Sequence, residues 1–171
     1  MTNTNYKTIA SKLKFEGRAF IGGKYVDAID GGKFETINPA TGETLCSVAK
    51  CNSKDVDLAV KASRKAFDSG VWSRTSPEFR KDILLKFAEL LRKHGVENSV
   101  LESVDTGKLI GDCINEVAND APMHFQWYGE LIDKVFGKIG STDPSTTSLI
   151  VKEPIGVVAG IVPWNFPLMM A

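Results

Sequence analysis

The sequence predicts an α/β fold, and three features of it do so. Short apolar runs separated by turn residues between positions 18 and 49 have the length and spacing of strands. Between positions 53 and 133, apolar residues recur at helical spacing with recognisable caps. Near the carboxyl end, Ile155 to Val162 is apolar, β-branched and punctuated by glycine, which suits a strand buried on both faces of a parallel sheet.

Composition narrows the class. The chain has 171 residues, 43% hydrophobic and 25% charged, the profile of a globular domain with a real core. Lys+Arg and Asp+Glu both number 21, so there is no electrostatic case for nucleic acid or an anionic membrane. Met1 to Ser11 is polar and shows no signal peptide, so the expected setting is the cytoplasm. Cys46, Cys51 and Cys113 make no C-x-x-C and have no neighbouring histidine; they are expected as reduced thiols, not as a disulfide framework or zinc site.

In chain order, residues 18–27 read as a hairpin turning at Gly22-Gly23, a pair that tolerates positive φ. Strands are expected over Lys33–Ile37 and Thr44–Ala49, joined by Asn38-Pro39-Ala40-Thr41-Gly42-Glu43. Asn52-Ser53 offers an N-cap to a helix whose core stripe is Val56, Ala59, Val60, Ser63 and Phe67, stopped by Gly70. A second helix starts at Ser76-Pro77, buries Ile83, Phe87, Leu90 and Leu91, and ends at Gly95. Lys93 and His94 fall in its last turn, which suits the negative end of the helix dipole. Neither His94 nor His124 has partners at catalytic or ligand spacing.

A third helix is expected from Val96 to Ser103, followed by a polar turn, Asp105-Thr106-Gly107-Lys108. Residues 109–133 read as helical, broken at Ala121-Pro122. Glu116 and Asp120 share a face there, and by themselves they read as a solvated acidic surface. Lys134–Ile139 and Ser148–Lys152 read as two strands around a polar loop.

The stretch from Pro154 to Ala171 carries no formal charge. A membrane tail is disfavoured by its prolines, glycines and Asn165, and by the absence of a charged residue after it. Pro163 ends the expected strand. Asn165 then stands in a turn stiffened by Pro163 and Pro167. In open α/β sheets ligands sit beyond the carboxyl ends of strands. An asparagine N–H aimed there can stabilise an oxyanion. A cap on the next helix is the other role open to Asn165.

E-P-I-G-V-V-A-G-I-V-P-W-N-F-P, Glu153 to Pro167, resembles the aldehyde dehydrogenase superfamily. N-P-A-T-G-E from Asn38, A-x-x-A-x-x-x-A-F-x-x-G-x-W from Ala59 and E-x-x-D-T-G-K from Glu102 are similar to it as well. W-Y-x-x-x-I-D-K-V-F-G, Trp127 to Gly137, looks like bacterial aminoaldehyde dehydrogenases of the γ-glutamyl-aminobutyraldehyde type. The resemblance implies a partial Rossmann-like cofactor-binding domain over residues 1–133 and 155–171. It makes residues 134–154 an inserted β-hairpin oligomerisation arm, and leaves the catalytic domain absent.

What it implies chemically is oxidation of a small-molecule aldehyde to a carboxylic acid with NAD or NADP, in a homo-oligomer when full length. A cysteine attacks, a hydride leaves for the nicotinamide and a glutamate-activated water hydrolyses the thioester. Asn165 matches the oxyanion donor, and Ile161, Val162, Pro163, Trp164 and Asn165 match the loop lining the cofactor. Phe166 and Met170 match substrate-tunnel positions. Glu116 and Asp120 would lie near the tunnel mouth, favouring a cationic substrate such as an aminoaldehyde from polyamine breakdown. Asp105 and the carbonyl of Ile37 match ligands of a structural monovalent cation bound by some members.

The family's nucleophilic cysteine, general-base glutamate and Gly-containing cofactor loop match nothing up to Ala171. The 171 residues are therefore expected to be an amino-terminal portion, inactive alone, that does not discriminate NAD from NADP. The alternative is a truncated, non-catalytic protein that pairs with intact subunits through its hairpin.

Overall fold

A computed structural model describes residues 4–171. Of the polar stretch Met1 to Ser11, residues 1–3 lie outside the described part. Tyr6–Ala10 forms a short helix, α1, that sequence periodicity did not reveal; Asn5 caps it by accepting from the Thr8 N–H at 3.1 Å.

The strands form three separate antiparallel hairpins: β1 (Ala19–Ile21) with β2 (Lys24–Val26), β3 (Lys33–Ile37) with β4 (Thr44–Ala49), and β5 (Lys138–Gly140) with β6 (Ser148–Ile150). Gly22 and Gly23 take φ of 60° and 81°, the left-handed pair that a tight two-residue turn demands. β3 and β4 have the expected bounds, with a register shift between Thr36 and Ile37. In their loop, Asn38 Oδ1 accepts from the Ala40 N–H at 2.9 Å. The third hairpin is shorter than expected: Ile132–Lys134 makes a 3-10 turn, and pairing begins only at Lys138.

The buried strand expected over Ile155–Val162 is not formed. The segment has no ladder, and Ile155 and Ile161 are 93% and 99% exposed. A parallel strand needs neighbours on both sides to satisfy its N–H and C=O groups. Among the described residues every strand pairs only within its own hairpin. The parallel, Rossmann-like sheet is therefore absent from this structure.

The helices supply the packed body. α2 (Ser53–Ser69) starts on a full capping box: Asn52 Oδ1 accepts from the Lys54 N–H at 2.8 Å, and Asp55 Oδ2 accepts from the Asn52 N–H at 2.9 Å. Asp55 also accepts from the Ile29 N–H at 2.9 Å, which explains why a carboxylate is buried there. Gly70 ends the helix in the left-handed conformation. The expected core stripe of α2 is not covered: Val56, Val60 and Ser63 are exposed, and only Ala59 and Phe67 are half-buried.

α3 (Pro77–Lys93) is capped by Ser76, whose Oγ accepts from the Phe79 N–H. It packs on α6 (Ala121–Leu131) through Ala88 and Leu91, with Leu84 and Leu85 half-buried. Of the expected stripe only Leu91 is buried; Ile83, Phe87 and Leu90 stay exposed, although the Phe87 ring meets Phe125 edge to face at 4.8 Å. Periodicity marked an apolar arc wider than the surface α6 covers.

Gly95 does not stop α3. It opens α4 (Gly95–Thr106), and a Cβ there would lie 2.7 Å from the Ala118 Cβ. Its purpose is close approach between helices. α5 (Ile110–Cys113) runs into a π-helical stretch, Ile114–Asp120, and on into α6 without the expected break. The Ala121 N–H reaches back to the Glu116 carbonyl, so the chain is widened just ahead of Pro122, whose ring and missing donor an α-helix would tolerate poorly. α7 (Pro167–Met170) is one turn. Among the described residues no helix is long and apolar enough to cross a membrane.

The Gly95 contact predicts a paired outcome. Gly95→Ala should cost about 1–3 kcal/mol by overpacking against Ala118. Gly111→Ala, where a Cβ meets open space inside α5, should be neutral or gain up to about 1 kcal/mol. Urea unfolding midpoints at constant m-value check both.

Candidate functional site

The site grows from the left-handed end of α4. Gly107 caps α4 with φ 78° and turns the chain back, where a Cβ would lie 2.8 Å from the Pro39 ring. Ser103 Oγ donates to the Lys108 carbonyl at 2.7 Å, fixing the next residue's backbone. Lys108 therefore projects back over its own helix. Its Nζ donates to Glu102 Oε1 at 3.2 Å, to Glu116 Oε2 and to the Asn165 carbonyl at 2.8 Å. It also lies 4.5 Å from the centre of the Phe166 ring. Three ammonium hydrogens meet three acceptors.

The electrostatics follow from burial. The Lys108 side chain is 16% exposed and that of Glu102 8%. Burial works against the charged form of Lys108, but the hydrogen bonds to Glu116 and Glu102 outweigh it and raise its pKa above the ordinary lysine value. Its ammonium is thus fixed in the charged state.

The sequence-predicted residues divide around this cluster. Asn165 and Phe166 are drawn to Glu116 through Lys108, while α7 packs on the π stretch and α6. Asn165 does not cap α7, whose N-cap position is Phe166. Glu116 is not a solvated acidic residue; it is ion-paired. Asp120 is half-buried, and its carbonyl faces His124 Nδ1 at 2.9 Å. An α-helical face argument does not carry from Glu116 to Asp120, because this stretch is π-helical. Ile161, Val162, Pro163 and Trp164 stand exposed on the extended approach, and Met170 is exposed at the last turn of α7.

Asp105 is joined to β3 instead: its Oδ1 accepts from Thr36 Oγ1 at 2.8 Å, one residue from Ile37. Lys108 was invisible to sequence reasoning as a centre. The signal available was only a lysine after a helix-ending glycine, six residues from a glutamate on the same helix.

The three cysteines are free. Burial pushes the Cys46 thiol up, with Asp105 and Glu16 adding to it. Burial also pushes Cys113 up. Neither environment favours the thiolate that nucleophilic attack requires.

The aldehyde dehydrogenase family profile matches residues 25–171. The chain belongs to the aldehyde dehydrogenase family. It is 42% identical to aminoacetaldehyde dehydrogenase of Pseudomonas aeruginosa over 170 residues, covering 99% of this chain and 34% of that protein. Among solved structures, γ-glutamyl-γ-aminobutyraldehyde dehydrogenase from Burkholderia cenocepacia superposes with a TM-score of 0.93 at 44% identity, over 96% of this chain and 34% of that one. Indole-3-acetaldehyde dehydrogenase of P. syringae, in complex with NAD+, gives 0.93 at 44% identity over 96% and 33%. The chain thus spans about a third of the length of the relatives it matches. The likeness to an aminoaldehyde-type group read from Trp127–Gly137 is borne out by these relatives.

The thiol environments make a prediction. At pH 8, iodoacetamide should modify exposed Cys51 first, half-buried Cys46 more slowly and Cys113 only on unfolding. Peptide mass spectrometry over a time course reads the order.

Proposed function

We propose that this chain is the amino-terminal part of an NAD(P)-dependent aldehyde dehydrogenase that oxidises an aldehyde to a carboxylic acid. The observation carrying this reading is the Pro163–Pro167 turn. It presents the Asn165 amide while the Asn165 carbonyl is held by a charged lysine. A carboxamide on so constrained a backbone can donate to an oxygen gaining negative charge, a contact worth about 3–4 kcal/mol in the transition state.

On this reading Ile161 to Asn165 form one wall of the cofactor site. The segment suits a flat nicotinamide ring: it is apolar and open, and Gly160 has empty space where a Cβ would lie. NAD(P)+, when bound, accepts the hydride. The thiolate nucleophile and the base that activates water are assigned to residues outside these 171. Residues up to 133 and 155–171 are assigned to the cofactor domain, and 134–154 to an oligomerisation arm. In that assembly further strands would pair with 155–162 and give it the two neighbours it lacks here. Asp105 and the Ile37 carbonyl are oxygen donors of the kind a structural monovalent cation takes.

An aminoaldehyde is the proposed substrate class. The relatives named above support it, and so does Asp120, whose carboxylate is not part of the Lys108 cluster. Glu116 contributes through Lys108, not as a separate charge. Phe166 and Met170 complete the tunnel assignment. A second reading is a non-catalytic chain that pairs with intact subunits. It draws on the third hairpin, where Ile139, Leu149 and Ile150 are exposed on an unpartnered edge. The codons after Ala171 separate the two: a continuing frame that encodes a cysteine nucleophile favours the enzyme, and an immediate stop favours the interaction protein.

Kinetics on the full-length enzyme test the main reading. Asn165→Ala should lower kcat by about 10²- to 10³-fold. Asp120→Asn should reduce the preference for amino over plain aldehydes by about fivefold, the weight of a partly exposed charge pair. Equal kcat/KM for the two aldehyde classes, unmoved by Glu116→Gln and Asp120→Asn, would remove the aminoaldehyde assignment. The 171-residue chain alone is expected to show no NAD-dependent aldehyde oxidation.

A further inference from the structure

We propose that Lys108 is a positioning residue that holds the Asn165 turn in register with the helical body; this rests on the oxyanion role of Asn165 proposed above. The juxtaposition is specific. A single ammonium takes the carbonyl of Asn165 at 2.8 Å and lies 4.5 Å from the ring of Phe166, so it grips the turn at Asn165 and at the residue after it. Its other two hydrogens go to Glu102 on α4 and Glu116 on the π stretch.

Charge balance alone does not explain the arrangement. Glu102 and Glu116 each need a cation, because a buried carboxylate without a partner is costly. That need is met by two of the three hydrogens. The third would be satisfied as well by water, yet it reaches a peptide carbonyl 57 positions along the chain. The turn has little else to fix it. The approach from Glu153 to Pro163 has no ladder, Trp164 is exposed, and α7 is one turn without a side-chain cap. Packing of α7 against the π stretch and α6 sets its general place. The Lys108 bond sets the height and tilt of the peptide that carries the Asn165 side chain.

The lysine is itself well placed to act as a fixed post. Its backbone is held by Ser103 Oγ, and Gly107 locks the approach in a conformation that other residues rarely adopt. Donors in a catalytic site must be held within about 0.5 Å of their working position, and a displacement of about 1 Å can cost 10²-fold in rate.

The test is made in the full-length enzyme, with kcat, KM and thermal midpoint read together. Lys108→Met should lower kcat about 10- to 100-fold, with KM for the aldehyde changed less than about 3-fold, since a transition-state contact is lost and not a binding one. It should also destabilise, because two carboxylates lose their cation. The triple variant Lys108→Met/Glu102→Gln/Glu116→Gln removes that charge problem; it should regain thermal stability and stay slow. In an Asn165→Ala background, Lys108→Met should add no further loss of kcat, as expected of two residues acting as one unit. Recovery of kcat in the triple variant would overturn the proposal by reducing Lys108 to charge neutralisation. So would multiplicative losses in the double variant, or a Lys108→Met enzyme as fast as wild type while Asn165→Ala is slow. If Asn165→Ala is itself as fast as wild type, the oxyanion reading fails, and the proposal falls with it for that separate reason.

Discussion

The Lys108 ammonium is the interaction on which the carboxyl-terminal part of the structure depends. Four pieces of chain converge on it: the end of α4, the π stretch, the Asn165 turn and the Phe166 ring. None of these pieces is adjacent to all the others in sequence. A buried charge is stable only when every hydrogen has an acceptor, so the cation dictates where each partner must lie. The left-handed glycine before it and the widened helix turn opposite it both serve that demand.

The rest of the molecule divides into a tightly fitted helical body and open apolar faces. Inside the body the fit rests on small residues: Gly95 against Ala118, Gly129 against Leu84, and buried Ala88 and Ala121. Helices that approach this closely interlock, and interlocked helices hold a turn rigidly against themselves. Outside the body, α2 and the stretch from Ile155 to Val162 present apolar side chains to solvent, with Phe67 alone contributing a half-buried aromatic ring to the α2 face. Apolar surface of this extent, in a chain that spans a third of its family relatives, is the complement of surfaces supplied by other parts of such enzymes.

Much of the local structure was legible in the sequence because local chemistry decides it. Asn52 and Asp55, Ser76 with Pro77, Gly22 with Gly23, Gly70 and Gly107 each specify a cap or turn within a few residues, and all sit where that chemistry requires. The family was legible from motif strings. What failed was whatever needed knowledge of a distant neighbour. The 155–162 strand was inferred from composition, but a ladder belongs to pairs of strands. The burial of α3 was inferred from its own periodicity, but α6 selects the face. Gly95 looked like a stop because nothing local reveals Ala118. Lys108 looked like a turn residue because two of its partners lie in other elements, one of them far along the chain.

The π stretch at Ile114–Asp120 has a consequence for how this protein can change over evolutionary time. It holds one residue more than an α-helix needs for the same path, so its length is a phase setting between the Lys108 end and everything after Pro122. Loss of one residue there would heal the helix and gain a regular backbone bond. It would also rotate the downstream helix by about 100° against the upstream one, carrying Phe125 away from Phe87 and Gly129 away from Leu84. Substitutions can accumulate freely along this segment's outer side, but insertions and deletions cannot.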